Sequence, residues 1–529
     1  MEKALKIGKV SATGSLRLFI GVAVSTVIMA IGTIVLARLM SPEEYGLYTI
    51  ALIPSMMINL FRDWGVNSAI TKHVASLKAS GREQEIRDII LGGLVFEVAT
   101  GLLLSFLSVG LAGVIAVEVF HRPESARLIS VISVAVFSGS LLVASLSAFV
   151  GFERMGLNSF TIICQSIVKS IVGPLLVILG YGVLGAALGY TLSFLAAGFI
   201  GVAVLYFVLY RNLRRSGSRK ASLPITIKAM LKYGVPLSAS PIVAGVLVQF
   251  YGFMMAFSCS DAIVGNYQVA SNFAVLLTFF TIPISTVLFP AFAKLDPQKE
   301  HQLMKDIFAS SVKYTAILLV PATMAIMVLP GPMISTLYGG QYVFAPFFLS
   351  LYVIGNLFAL LGNLSLGSFL TGVGETKTLM KQSILTLAIG LPLGFLLIPT
   401  FGVIGLILAS LLAGLPSMFW GLHWAWKHYR VKADFKCSAK TFTASTVAAI
   451  PTYALLSFIN MAEWAKLVVG ITIFLAIYIF TAPIIGAVTQ TDISNIRTMF
   501  SGLGVVSRII NIPLKAAEKA AQIKPRNKK

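Results

Sequence analysis

Lys169 stands near the middle of one long apolar run, and Glu97 lies about eight residues into another. A charge at the centre of a spanning helix costs about 2.5–3.5 kcal/mol on insertion scales, so such residues face a cavity or a partner. The functional reading makes Lys169 a binder of an anionic group such as a phosphate. Glu97 is then a proton or cation coupling site, or the partner that keeps the lysine charged. The structural alternatives are a Glu97–Lys169 pair or a lysine that snorkels. Gln165 lies one helical turn before Lys169 and can share its face. Arg38 closes an apolar run, as a cavity-lining cation, an outer gate or an interfacial anchor. Arg62 and Asp63 are adjacent at a run's end, as an inner gate or as interfacial capping. Gln249, Asn272, Asn356 and Asn363 are amides within apolar runs; they can bond sugar hydroxyls or cross-link helices.

No enzyme constellation accompanies these residues. There is no Walker loop, no GxSxG and no His/Cys cluster. The five histidines, His73, His121, His301, His423 and His428, all fall in loops or at run ends. Cys164, Cys259 and Cys437 are far apart, with no metal spacing and no disulfide framework. The expectation is therefore a protein that is not an enzyme and has no cofactor, with any driving force coming from H+, Na+ or the membrane potential.

The elements that must hold these residues are membrane helices. Hydrophobic residues make up 57% of the 529 and charged residues only 12%, against about 25% charged in a soluble domain. The hydrocarbon slab needs about 20 apolar residues per helix, and the long Leu/Ile/Val/Ala/Gly runs suit helices rather than barrel strands. Fourteen spans are expected, over 18–40, 45–61, 89–117, 128–150, 157–179, 183–210, 234–257, 263–293, 314–338, 345–371, 378–398, 402–426, 441–460 and 464–489. Pro54, Pro174, Pro283 and Pro392 predict kinks. The basic start resembles a signal peptide, but the run from Leu18 to Ala37 is longer than an h-region and is expected to be retained.

Charge orients these spans. With the N-terminus inside, 36 of the 41 Lys and Arg fall on the inner side, and Arg38, Arg122, Arg127 and Lys466 fall outside. Lys169 is left within a span. That bias is the positive-inside pattern, so the net charge of +21 points to anionic headgroups and not to nucleic acid. It places both termini in the cytoplasm. Tyr45, Tyr48, Trp64, Trp424, Trp426 and Trp464 sit at span ends as belt residues.

The chain is also written twice. Ser41, Gly46, Tyr48 and Ala51 match Ser260, Gly265, Tyr267 and Ala270 at an offset of 219. Gly182-Val183-Leu184-Gly185 resembles Gly402-Val403-Ile404-Gly405 at 220. Six spans separate the matched segments, so the repeats share one orientation and are related by an axis along the membrane normal. The expected fold is an all-α polytopic membrane protein, six helices plus six, with two more at the end. Its parts are a basic surface segment (1–17), an N-lobe (18–210), a basic linker (211–233) and a C-lobe (234–426). Two further helices (427–489) and a basic tail (490–529) complete it. Two lobes around a central axis make a transporter plan, worked by rocking.

Several stretches, in order, resemble one family. They are LARLMSPEEYGLY, GVNSAITKHVASLKASGREQEIRDII, LKYGVPLSASPI, VGNYQVASNF, TVLFPAFAKL, LYGGQY, GVGETK and IPTFGVIGLILAS. Together they resemble the Wzx-like polysaccharide transporters of the multidrug/oligosaccharidyl-lipid/polysaccharide exporter superfamily. The resemblance covers nearly the whole chain. It implies a flippase that moves a lipid-linked oligosaccharide, on a polyprenyl- or dolichyl-phosphate carrier, across the cell membrane by alternating access. Glycosyltransferases or a polymerase are the implied partners. The competing function is an ion-coupled multidrug or metabolite antiporter of the same superfamily, toward which Glu97 leans. A third is a membrane scaffold without transport.

Overall fold

The computed structural model describes residues 2–213, 222–277 and 300–500, with short pieces at 288, 292–293, 295, 511 and 514–519; for 2–17, 496 and 498–500 it gives the backbone alone. Residues 214–221 of the basic linker, most of the second half of the span expected over 263–293 with Pro283, and most of the tail beyond 500 lie outside the described residues. Within them the chain is helical, with no strand.

Among the described residues nine helices are long and apolar enough to cross a membrane. Two of these run 58 and 54 residues, more than about 80 Å if straight and far beyond a slab of about 30 Å. Each is broken at glycine and doubles as two spans. Gly182 (φ 50°, ψ −134°) and Gly402 (φ 58°, ψ −132°) take the same backbone conformation at the two breaks. Glycine, without a Cβ, enters it at little cost. Across the second break Gln382 and Ser417 exchange hydrogen bonds of 3.1 Å, side chain to backbone in both directions. Ala345–Leu361 and Asn363–Gly372, bent by 57°, form one broken span. The remaining two of the fourteen expected positions hold α2 and α9, defined below; α9 with its short extension is described only to residue 277.

Two compact units divide the chain: Met1–Gly265 with Leu391–Leu406, and Asn266–Gly390 with Ile407–Lys529. The first unit contains α1 (Glu2–Leu39), α2 (Pro42–Asn59), α3 (Val66–Ala79), α4 (Glu83–Val114), α5 (Ser125–Gly151), α6 (Met155–Leu176), α7 (Gly182–Val204) and α8 (Leu223–Ser258). The start of α9 (Asp261–Ala274) completes it. The helix α2 begins with a full capping box, Ser41 bonding the Glu44 amide and Glu44 bonding the Ser41 amide. Pro42 at its first position and two glutamates in its first turn suit the positive end of the helix.

The most enclosed helix of this unit is α5. Its interior is small and hydroxylic: Ser133, Ser138, Gly139, Ser140 and Ser145 are buried. Apolar attraction is weak between helices already in lipid, so close backbone approach and hydroxyl–carbonyl bonds hold them together. Ser105 of α4 donates to the Ser133 carbonyl (2.9 Å), and Thr191 of α7 to the Val131 carbonyl (3.0 Å). The same device joins α1 to α6, where Ser170 donates to the Ile28 carbonyl (2.8 Å).

The repeat appears in three dimensions at Gly46 and Gly265. A side chain at Gly46 would strike the Asp261 backbone, and one at Gly265 would strike the Pro42 carbonyl. The matched glycines thus let the first turns of α2 and α9 touch.

In the second unit the most enclosed long helix is His301–Val328. It packs on Phe435–Phe458 and Glu463–Ile485 through Val320, Met324, Ala444, Ala448 and Phe474, with Tyr478 donating to the Ile317 carbonyl (3.1 Å). The last two spans are therefore part of this unit's core and not an outlying pair. A second cluster gathers Phe308, Phe369 and Val431, and the rings of Phe308 and Tyr429 both meet Phe369 edge-on.

Candidate functional site

The expected intramembrane charges come together inside the first unit, though not in the pairing the sequence suggested. Glu97 on α4 is fully buried and its ion partner is Arg62, at 3.6 Å from Nε to Oε2. Asn67 on α3 donates to the other Glu97 oxygen (2.8 Å), and Arg62 Nη1 donates to Asn59 Oδ1 (2.9 Å). The Glu97–Lys169 pair is thus replaced by Glu97–Arg62. Three buried polar atoms remain without a hydrogen-bond partner among the described residues: Arg62 Nε, Asn67 Oδ1 and Glu97 Oε2.

Lys169 on α6 forms no ion pair with any described carboxylate. Its ammonium sits 5.2 Å from the ring centroid of Tyr190 on α7. An aromatic face steadies a desolvated cation without neutralising it. Tyr190 is also within electrostatic reach of Tyr48 on α2 and of Arg62. The first unit thus holds the Arg62–Glu97–Asn67 group around α3 and α4 and the Lys169–Tyr190 contact between α6 and α7. Gln165 is half-buried one turn before Lys169.

Arg62 and Asp63, expected as one gate, have separate tasks. Arg62 is buried with Glu97. Asp63 accepts from the backbone amides of Gly65 (2.9 Å) and Asn67 (3.3 Å), which caps the start of α3 in the manner of a capping aspartate. Arg38 is exposed in the last turn of α1, where a cation suits the negative helix end. Gln249 is half-buried on α8.

The amides of the second unit do not gather. Asn272 accepts from Gln268 one turn away (2.8 Å). Asn356 is half-buried in a 3₁₀ segment, Val353–Leu361, and Asn363 is exposed just after the break at Gly362.

Sequence reasoning missed two groups. Tyr190 carries no sequence signal beyond an aromatic in an apolar run. Arg122, counted only as an outer-side charge, is a clamp. It pairs with Asp261 and donates to the carbonyls of Ala256 (2.6 Å), Cys259 (2.6 Å) and Phe120 (2.8 Å). One guanidinium thus ties the α4–α5 turn to the α8–α9 turn, beside the Gly46–Gly265 contact. Its rarity as an outer-side cation was the available clue.

The fold and site define a polytopic, all-α membrane protein whose first unit holds a buried Arg62–Glu97 pair and a half-buried lysine within its helices. The polysaccharide biosynthesis protein family model matches residues 35–345, and the chain belongs to that family. The lipid II flippase MurJ model matches residues 238–479. The lipopolysaccharide biosynthesis protein WzxC of Escherichia coli (strain K12) is 25% identical over 72% of this chain and 78% of its own length. Stage V sporulation protein B of Bacillus subtilis (strain 168) is 24% identical over 75% and 80%. Among solved structures, lipid II flippase MurJ in an inward closed conformation superposes with a TM-score of 0.70 at 16% identity, covering 88% of this chain and 98% of that one. That last likeness concerns the fold.

Proposed function

We propose that this protein is a flippase that moves a lipid-linked oligosaccharide from the cytoplasmic to the outer leaflet of the cell membrane, with both termini cytoplasmic. The observation that carries the reading is Lys169, a half-buried cation within a long apolar helix and without a carboxylate partner among the described residues, in a chain of a polysaccharide biosynthesis family. A polyprenyl- or dolichyl-phosphate headgroup supplies the anion such a lysine lacks, and charge-assisted bonds strengthen out of water. The lipid tail stays in the bilayer while the headgroup passes. Glycosyltransferases or a polymerase would supply and consume the glycan.

Glu97 is the coupling residue in this reading, and its surroundings favour a proton over sodium. A second cation beside the Arg62 guanidinium would be repelled. A proton on Glu97 Oε2 would instead give that oxygen a donor and loosen its hold on Arg62. The same pairing weighs against the antiporter alternative, because Arg62 already occupies the carboxylate that a cationic drug would need.

The test is lipid analysis of cells lacking the protein. Lipid-linked oligosaccharide is extracted and identified by mass spectrometry, and its leaflet is probed with an impermeant glycan reagent. Accumulation on the cytoplasmic leaflet is expected. No accumulation, with altered tolerance to cationic drugs, would move the function to the antiporter class.

A further inference from the structure

A cationic site stands at a helix end within the second unit. Where His301–Val328 begins and Thr376–Tyr429 stops, a cavity of about 470 Å³ is lined by Lys305, Asp306, Ala309, Trp426, Arg430 and Lys432. The Arg430 guanidinium lies 5.5 Å, and the Lys432 ammonium 5.6 Å, from the Trp426 ring centroid. Between them Val431 is buried in the cluster of Phe308 and Phe369. That plug pins the segment and leaves both flanking cations over the indole.

The charges here are unbalanced. Among the described residues none of Lys305, Arg430 and Lys432 forms an ion pair. The one carboxylate of the lining, Asp306, accepts from Gln302 (3.1 Å). Arg430 also ends its helix in the left-handed region (φ 55°, ψ 21°), where glycine is the usual residue. A solvated basic face would spread its cations apart; here Arg430 and Lys432 share one half-buried ring at a helix end, and Lys305 lines the same cavity.

We propose that this pocket binds a phosphate group, carried by an anionic membrane lipid or free in solution. Arg430 offers the planar fork that grips two phosphate oxygens, and the lysines add point charges. Trp426 marks the headgroup level at which a lipid would present that group. The site is independent of the transport reading and is tested without transport.

The full-length protein in nonionic detergent is titrated with phosphatidylglycerol or phosphatidylcholine, and bound lipid is read by native mass spectrometry. Phosphatidylglycerol is expected to bind at least about 10-fold more tightly, as charge-assisted phosphate bonds imply. Arg430→Gly is expected to weaken it about 5-fold or more by removing the fork. It leaves the melting temperature unchanged or raised, because glycine suits the left-handed position. Adding Lys305→Gln and Lys432→Gln weakens binding further, whereas Lys78→Gln, in the other unit, does not. Competition by millimolar inorganic phosphate would assign the site to the free group, and failure to compete would assign it to the lipid. Equal binding of the two lipids with no effect of inorganic phosphate on melting, or unchanged phosphatidylglycerol binding in the triple variant, would overturn the proposal.

Discussion

Among the described residues the first unit holds the buried pair Arg62–Glu97 and the half-buried Lys169, whereas the buried charged side chain of the second is Asp492, just beyond its last long helix. Lys313, at the edge of its span, pairs with Asp492 (2.6 Å), and Lys305, Arg430 and Lys432 gather at a helix terminus. The matched glycine breaks at Gly182 and Gly402 repeat one backbone plan along the chain. The difference therefore lies in side chains and not in backbone plan. A buried charge costs insertion energy wherever it stands, and each unit meets that cost with a pair, Arg62 with Glu97 in the first and Lys313 with Asp492 in the second. The second repeat uses charge to anchor its ends.

That contrast can be broken first at the Arg62–Glu97 pair. Arg62→Leu alone leaves a buried carboxylate without its partner and is expected to cost about 3–5 kcal/mol of stability. Combining it with Glu97→Leu should recover most of that loss. Unfolding titrations in detergent check this, and equal loss in the single and double variants would mean the pair is not coupled.

A smaller effect, about 1–3 kcal/mol, is expected from Asp492→Asn in the second unit. Burial pushes the Asp492 carboxyl up, but hydrogen bonds from Lys313 and Thr489 outweigh it and hold the carboxyl below the ordinary range. A group depressed in the folded state stabilises above its unfolded pKa and stops doing so as pH falls through the folded one. The variant should therefore lose stability near neutral pH and match the parent protein in acid. A loss that is the same at both pH values would show that Asp492 acts by packing alone.

The Arg122 clamp gives the smallest expected change in stability, since its ion pair is partly exposed, but a sharp change in access. Arg122→Gln should speed labelling of Cys259, half-buried beside the clamp, by an impermeant maleimide. Unchanged labelling would mean that the glycine contact alone holds these turns.

How much of this was legible before the structure depended on range. Gly182 and Gly402 could be matched because a span-to-span hairpin needs glycine at a fixed place, and the repeat kept both. Ser41 with Glu44 announces a helix start within four residues. Lys169 was visible because a charge in an apolar run has no ordinary explanation. Partners were not legible. Arg62 and Glu97 are 35 positions apart on packed helices, and Arg62 sits at a span's end, where capping was the simpler account. Asp63 was grouped with it as one gate because adjacency in sequence is visible and the turn that separates their roles is not. The Trp424–Trp426 stretch looked like an aromatic belt, and only the folded chain brings Lys305 to it.

The central claim is that Lys169, within an apolar helix and without an ion pair among the described residues, handles the substrate's phosphate. Cells lacking the protein are complemented with Lys169→Ala or Lys169→Arg, and lipid-linked oligosaccharide on the outer leaflet is measured at matched expression. Loss of one desolvated charge-assisted contact predicts a fall of about 10- to 100-fold for Lys169→Ala and partial activity for Lys169→Arg. Full transport by Lys169→Ala would contradict the account and return Lys169 to a packing role against Tyr190.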